Sequence, residues 1–201
     1  LNEQLKEEGL FWVAYSDNQL CGYVTLKWQS AYEPFAQKNI PEIMVIINDA
    51  KAFLKQQNID QWQNGYPNAA QVENDIKKGE SFVVVNDKNQ IMATSMFTLR
   101  KEPTYKEIFD GKWLVSEDEV YGVIHRMAIK KEFRKLGLAT FLFNEFHQQL
   151  KDKNIESLKI DTHENNLGMQ SLIKKLGYNY CGIIYTSYNA KRLAFEKVIS
   201  K

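Results

Sequence analysis

The chain has 201 residues, with 26 basic against 25 acidic side chains and a net charge of +1. This balance gives no electrostatic reason to expect binding to nucleic acid or to an anionic membrane surface. Hydrophobic residues make up 44% and charged residues 25%, as in ordinary globular proteins, so the length suits one sizeable domain or one domain plus a fragment.

Cysteine content and apolar runs narrow the class of protein further. The two cysteines, Cys21 and Cys181, form no C-x-x-C pair, so neither a disulfide framework nor a cysteine metal or redox site is expected. No apolar run approaches the roughly 18 residues of a membrane helix, and the first residues are too charged for a signal peptide. These features predict a cytoplasmic protein with reduced thiols, no membrane segment and no metal.

The N-terminal residues predict a β-hairpin. Its strands cover 11–15 and 20–28, are rich in aromatic and β-branched residues, and are separated by turn-forming residues at 16–19. A shift of 71 residues superimposes the start of this hairpin on residues 82–85. The similarity arises either by chance or because the N-terminus is a fragment of a related domain.

This pattern suggests a division of the chain at residue 39. Residues 1–39 are interpreted as a hairpin fragment or an atypical extension, and residues 40–201 as the main domain. No strand is evident directly before the first helix of the main domain, so strand 20–28 is expected to supply the first strand of its sheet.

Two helices are predicted next. Pro41 suits a first helical position, and apolar residues at helical spacing extend a helix over 41–57. A shorter helix is predicted over 69–78, with Asn68 as its N-cap and Gly79 as its stop.

The rest of the chain alternates between strands and helices. Strands are predicted over 82–85, 90–99, 120–129, 157–162, 180–185 and 193–198, helices over 138–151 and 166–176, and an irregular segment over 100–118. The strand–helix–strand order in the middle predicts neighbouring parallel strands, and the hairpins predict antiparallel flanks. The sheet should therefore be mixed. His147 on the first of these helices is expected to be exposed.

The most informative stretch joins a strand to a helix near residue 137. It contains Arg134-x-x-Gly137-x-Ala139, whose two small residues let a ligand approach the backbone closely. Free N–H groups at a helix start bind phosphate oxygens, and Arg134 adds a permanent cation. Neither a Walker loop nor the Gly-x-Gly-x-x-Gly fingerprint occurs. The pattern predicts a diphosphate cradle made mostly of main chain, although in isolation it also fits a loop glycine beside a solvent-exposed arginine.

These motifs resemble those of the GNAT N-acetyltransferase superfamily. Its Leu-Ala-Val-like strand end and Arg/Gln-x-x-Gly-x-Gly/Ala loop correspond to residues 127–129 and 134–139. Its second signature, an asparagine followed by a helix that ends in Gly-Phe, corresponds to Asn166 and to residues 177–178. The stretches IHRMAI, RKLGLAT, DTHENN and GYNYCGIIY are similar to a bacterial branch of the superfamily, and the match runs in order over about 41–201.

The resemblance implies a fold, a cofactor and a set of contacts. The fold is α/β (α+β), with a mixed central sheet flanked by helices and two parallel strands splayed apart at an acetyl-CoA site. Cofactor contacts are implied for Met127, Ala128, Ile129, Arg134, Lys135, Leu136, Gly137, Leu138, Ala139, Thr140 and Asn166. Asn166 also suits a helix N-cap, which is compatible with a cofactor contact. The resemblance further implies direct acetyl transfer to an amine, and it allows a homodimer.

His125 is the candidate general base. Strand alternation puts its side chain on the same face as those of Met127 and Ile129, an imidazole titrates in the useful range, and a relative carries histidine at this place. The alternative is a structural histidine that is hydrogen-bonded inside the sheet. Many members place a tyrosine seven residues after the asparagine as general acid, but this chain has Ile173 there. Tyr185 is the candidate substitute, and water is the other proton source.

By resemblance, the loop between the first two helices walls the acceptor site. Its Trp62 and Tyr66 are candidates to stack on the substrate, or else they anchor the loop as buried aromatics. His163 could share the cleft or could serve as a polar residue at a helix start. The sequence thus predicts an acetyl-CoA-dependent N-acetyltransferase for a small-molecule or peptide amine. The alternative is a catalytically weak CoA-binding or regulatory module.

Overall fold

The computed structural model describes residues 10–13, 24–27, 33–86, 88 and 90–199, with side chains from residue 39 onward. The strands are β1 (Leu10–Val13), β2 (Val24–Lys27), β3 (Ser81–Asn86), β4 (Ile91–Thr98), β5 (Gly122–Ile129), β6 (Ser157–Thr162), β7 (Asn179–Tyr185) and β8 (Lys191–Val198). The helices are α1 (Glu33–Gln56), α2 (Ala69–Lys77), α3 (Leu138–Asp152) and α4 (Leu167–Lys175). From residue 40 onward, the order of elements is the predicted one.

The strands form a mixed sheet in the order β1-β2-β3-β4-β5-β6-β8-β7. β5 and β6 are parallel, with Gly122 opposite Leu158, as expected for two strands joined by helix α3. β8 lies between β6 and β7 and is antiparallel to both. The predicted mixed sheet flanked by helices is therefore confirmed.

The N-terminal strand β2 pairs antiparallel with β3, with Val24 opposite Asn86 and Thr25 opposite Val85. This is the pairing expected of a strand that occupies the first position of the main sheet. The predicted turn at 16–19 and the adjoining residues of both strands lie outside the described residues, as does Cys21. The division of the chain at residue 39 remains a prediction.

The start of the first helix was predicted wrongly. Helix α1 begins at Glu33 rather than at Pro41, which lies inside the helix. Pro34 already occupies the first turn, where a missing N–H costs nothing, so the chain can enter the helix there. The following apolar residues, Ile43 among them, are fully buried, and this packing offsets the hydrogen bond that Pro41 cannot make.

The second helix begins and ends where its local sequence signals predict. The Asn68 side chain accepts a hydrogen bond from the Gln71 N–H at 3.0 Å, which satisfies one of the free amides of the first turn. Gly79 has φ +68°, in the left-handed region that commonly follows a helix. Helix α2 thus presents a defined face, with Val72, Asp75 and Ile76 buried.

The described chain divides into two compact units. The first comprises the described parts of Leu1–Phe53, Trp62–Met96 and Arg126–Ala139, and the second comprises those of Leu54–Gln61, Phe97–His125 and Thr140–Lys201. The core of the first unit consists of Ile43, Ile46, Ile47, Val72, Ile76, Val83, Val85, Ile91 and Ala128. A core of the second unit consists of Tyr105, Tyr121, Val123, Ile184 and Ala194.

The segment between β4 and β5, residues 99–121, is irregular as predicted, yet it is firmly anchored within the second unit. The backbone N–H groups of Leu114 and Val115 donate to the buried Glu196 carboxylate at 2.5 and 3.2 Å. The fully buried Lys159 ammonium lies 3.9 Å from the centroid of the Tyr121 ring and 4.5 Å from that of Trp113. These contacts hold an irregular segment in one conformation.

His147 was predicted to be exposed, and this is wrong. Its side chain is buried, and its Nε2 lies 2.9 Å from the Tyr178 hydroxyl. Burial lowers the pKa of His147 to about 4, and the positive charges of Lys197 and Lys151 act in the same direction. The helical pattern places His147 one residue after the buried Phe146, at the edge of the apolar stripe, and a hydrogen-bonding partner from another element makes burial acceptable.

The described residues contain neither a helix suited to span a membrane nor a cluster suited to bind a metal. No helix among the described residues combines the length and the apolar character needed to cross a bilayer. Within the same residues, no group of three or more histidine, cysteine or acidic side chains could hold a metal ion.

Candidate active site

The predicted diphosphate cradle lies where β5 leads through a short turn into α3. Lys135 and Gly137 have φ +67° and +80°, so the backbone twice adopts the left-handed conformation just before the helix. The N–H groups of residues 138–140 have no acceptor within the helix, because they belong to its first turn. Among the described residues, no side chain and no other backbone group accepts from the amides of 135–140. These amides are therefore available to an anionic ligand.

Arg134 is held beside this loop. Its Nε donates to the Ile129 carbonyl at 3.4 Å, and its guanidinium lies 4.5 Å from the centroid of the Phe53 ring. Phe53 remains half-exposed, so the stack is at the surface of the unit. A permanent cation and the free amides are thus fixed on neighbouring residues of one turn.

The strand before the loop contains an irregularity that the sequence did not predict. Arg126, in the middle of β5, has φ +53°. Its Nε donates to Asp75 Oδ2 at 2.7 Å, and its Nη1 donates to the Tyr66 hydroxyl. The side chains of Arg126 and Asp75 are only 9% and 4% exposed. A buried ion pair therefore ties helix α2 to the strand at the point where the strand departs from regular geometry.

Burial is the largest influence on Asp75 and raises the pKa of its carboxyl, while the charge and hydrogen bond of Arg126 oppose that rise. No role for Asp75 or Arg126 was predicted from the sequence. The available signal was Arg126 itself, a charged residue in a mostly apolar strand. A charged side chain that is buried usually needs a partner. Nothing in the sequence indicates that this partner lies 51 residues away on α2.

Both aromatic residues of the predicted acceptor loop have internal contacts. Trp62 packs against the apolar core of the first unit, and Tyr66 contacts Arg126 through its hydroxyl, with the guanidinium 5.7 Å from its ring centroid. These contacts fit the anchoring interpretation. A contact of either side chain with an acceptor remains a prediction.

The second unit places the candidate base in a cluster of ionisable groups. His125 Nε2 lies 3.1 Å from Glu102 Oε2, and His125 Nδ1 lies 3.8 Å from Asp161 Oδ1. The Tyr105 hydroxyl donates to the same Asp161 oxygen at 2.7 Å. The His125 side chain is 18% exposed, so solvent still reaches it. His125 was predicted from the sequence. The two carboxylates and the tyrosine, which come from residues 99–121 and from β6, were not.

Glu102 is held as a carboxylate. Burial by itself would raise its pKa, but the hydrogen bond and charge of His125, together with hydrogen bonds from Thr104, outweigh burial and lower the pKa of Glu102 to about 2. The carboxyl of Glu102 is therefore ionised throughout the physiological range.

This shift predicts an acid-dependent contribution to stability. Because the folded pKa of about 2 lies below the ordinary 4.5, the stabilisation is complete above about pH 4.5 and is lost as the pH falls through about 2. Glu102→Gln should therefore be less stable than wild type near neutral pH, and the difference should shrink as the pH falls through that window. Urea unfolding across the window measures it. Glu119→Gln removes an exposed carboxylate of the same segment, so its free energy of unfolding should follow that of wild type across the window.

Three further predicted residues, Asn166, His163 and Tyr185, lie in the second unit. Asn166 caps α4 by accepting from the Met169 N–H at 3.2 Å, and its amide nitrogen donates to Gln61 Oε1 at 3.0 Å. The Asn166 interpretation as a helix N-cap is confirmed. His163 Nδ1 accepts from the Asn165 N–H at 3.0 Å, as a polar residue at a helix start does.

The position at which the resemblance implies a tyrosine is occupied by the fully buried Ile173. Tyr185, the candidate substitute, ends β7, is 41% exposed and lies edge-on to the Phe109 ring with 5.5 Å between centroids. Among the described residues, Tyr185 makes no hydrogen bond or ion pair with the His125 cluster. Its role as general acid remains a prediction.

The chain is similar to a known family profile and to solved protein structures. The sequence profile described as the Acetyltransferase (GNAT) family matches residues 47–178. An acetyltransferase of the GNAT family from Streptococcus agalactiae is 30% identical, with a TM-score of 0.76 over 89% of this chain and 96% of that chain. No curated protein matches the chain at a significant level.

Two more distant structures share the fold alone. The ribosomal-protein-S18-alanine N-acetyltransferase from Escherichia coli is 15% identical, with a TM-score of 0.56 over 89% of this chain and 95% of that chain. The NatB acetyltransferase complex, bound to CoA and MES, contains a chain that is 14% identical, with a TM-score of 0.59 over 84% of this chain and 98% of that chain.

Proposed function

Because the chain belongs to the GNAT acetyltransferase family, we propose that it transfers an acetyl group from acetyl-CoA to an amine. The observation that carries the proposal is that the amides of residues 135–140 have no acceptor among the residues that the structure describes. A helix start whose amides have no internal acceptor is suited to phosphate oxygens, and Arg134 adds a cation beside it. The diphosphate of CoA is the ligand that this donor set fits.

Different residues of the chain would bind the cofactor and transfer the proton. The loop amides and Arg134 hold the diphosphate, and the backbone of residues 127–129 holds the arm that leads to the acyl group. When bound, acetyl-CoA supplies an activated thioester as the acetyl donor. His125 takes a proton from the acceptor ammonium, since an amine must be neutral to act as a nucleophile. No residue of the chain needs to form a covalent bond with the acetyl group.

The acceptor is an amine of a small molecule or a peptide. A panel containing alkylamines, polyamines, free amino acids and peptides with alanine at the N-terminus would test it, because one fold neighbour is an alanine N-acetyltransferase. Release of free CoA thiol and the mass of the acetylated product are the measurements. Turnover with any acceptor supports the proposal. Tight acetyl-CoA binding with no turnover over the panel would indicate a CoA-binding module instead.

The cradle itself can be tested through Gly137. Gly137→Val should weaken CoA binding about 100-fold, because a β-branched residue disfavours φ +80° and moves amides that donate to phosphate. Loss of about two hydrogen bonds to a charged group, at roughly 1.5 kcal/mol each, corresponds to that factor. Isothermal titration calorimetry with CoA measures it.

Gly177→Val is the matched control. Gly177 has φ +82°, and a Cβ there would meet nothing closer than 4.0 Å, so the substitution imposes a similar backbone strain outside the loop. CoA affinity should stay within a few-fold of wild type in this variant. Equal weakening in both variants would show that strain in general, rather than the loop amides, is responsible.

A further inference from the structure

The Glu102 carboxylate determines which nitrogen of His125 carries a proton. An ionised carboxylate only accepts hydrogen bonds, so at 3.1 Å from Glu102 Oε2 the His125 Nε2 must be the donor. Glu102 is itself fixed, because its Oε1 accepts from the Thr104 N–H at 3.2 Å and from the Thr104 hydroxyl at 2.9 Å. The Glu102 N–H also donates to the Tyr121 hydroxyl at 3.3 Å. The neutral imidazole therefore carries its hydrogen on Nε2.

The other nitrogen is left with a free lone pair. His125 Nδ1 lies 3.8 Å from Asp161 Oδ1, which is too far for a hydrogen bond. That oxygen already accepts from the hydroxyl of the fully buried Tyr105. No described residue donates to Nδ1. A proton arriving on Nδ1 would create an imidazolium with one carboxylate at 3.1 Å and another at 3.8 Å, which stabilises the cation.

We propose that Glu102 is the positioning residue for the base, and that it makes Nδ1 of His125 the atom that accepts the acceptor's proton. This inference rests on the proposed function. In the step, the N–H bond of the acceptor ammonium breaks and an N–H bond forms on Nδ1. The amine keeps the electron pair that it needs for acyl transfer. The groups that face the imidazole are Glu102 and Tyr105 from the β4–β5 segment and Asp161 from β6.

Kinetics of Glu102→Gln test the proposal. Glutamine can still accept from Nε2, but it removes the charge that stabilises the imidazolium, so the acidic limb of the kcat/KM profile should move to lower pH. Glu119→Gln, at an exposed position of the same segment, should leave the limb in place. An unmoved limb in Glu102→Gln would overturn the proposal.

A double-mutant cycle separates positioning from a general structural role. If Glu102 acts through His125, adding Glu102→Gln to a His125→Ala background should change kcat/KM by less than about twofold. An additional loss of about tenfold in that background would show that Glu102 acts by some other route and would overturn the proposal.

The tautomer of His125 can be determined by NMR whether or not the enzyme turns over. In wild-type protein labelled with 15N-histidine, the neutral His125 ring should carry its proton on Nε2. A proton on Nδ1 would overturn the inference even if the enzyme is active. Wild-type protein with the Nε2–H tautomer but no turnover on the whole acceptor panel would instead overturn the proposed function, so the two failures are distinguishable.

Discussion

His125→Ala should lower kcat/KM for the amine acceptor by about 100-fold or more near neutral pH. A positioned general base contributes roughly that factor, and at this pH an alkylamine, with a pKa of about 10, is almost entirely protonated. The deficit should shrink as the pH approaches the pKa of the acceptor, because free amine then accumulates without a base. Initial rates of thiol release over the pH range measure the profile.

His125→Gln is the informative companion variant. Glutamine can hydrogen-bond to Glu102 through its amide nitrogen but cannot take up a proton near neutral pH. It should therefore show the same kinetic deficit as His125→Ala while keeping wild-type stability. Recovery of wild-type kcat/KM in His125→Gln would mean that His125 is a structural residue, which is the alternative that the sequence left open.

Asp75→Ala should destabilise the protein by about 3 to 5 kcal/mol. The substitution leaves the Arg126 guanidinium buried with its main counter-charge removed, and breaking one partner of a buried ion pair costs about this much. For a chain of this length the melting temperature should fall by about 10 °C. Urea unfolding gives the free energy directly. Activity should fall as well, because the pair holds the irregular residue of β5 next to His125 in the sequence.

Two variants make the Asp75 result interpretable. Adding Arg126→Met to Asp75→Ala should restore part of the stability, since the uncompensated charge is then removed. Glu73→Ala breaks an ion pair with Lys77 on the same helix, but those side chains are 42% and 54% exposed, so the cost should stay below about 0.5 kcal/mol. Equal losses in Asp75→Ala and Glu73→Ala would contradict the assigned role of the buried pair.

Elements with strong local signals were predictable from the sequence. Helix α2 lies between Asn68 and Gly79 because a capping side chain and a left-handed glycine act on their immediate neighbours. Strand β6 covers Ser157–Thr162 as predicted, since a short segment in which apolar and charged residues alternate between two helical patterns has few alternatives. The loop at Gly137 was found in the same way, because a helix start and a glycine are adjacent in the chain.

Features that depend on distant partners were not predictable. The start of α1 was misplaced because Pro34 and Pro41 are both compatible with a first helical turn, and local chemistry does not choose between them. The place of β8 between β6 and β7 follows from which strands can bury their apolar faces together, and no local signal encodes that order.

The order of elements from residue 40 onward, the family and the strand–loop–helix turn at Gly137 could all be read from the chain, since each rests on neighbouring residues. What surrounds the candidate base and the irregular residue of β5 became visible in the folded protein alone. Glu102 lies 23 residues from His125, and Asp75 lies 51 residues from Arg126. Contacts across such separations carry no periodicity. They form because a buried charge must find a partner, and the fold alone brings that partner within reach.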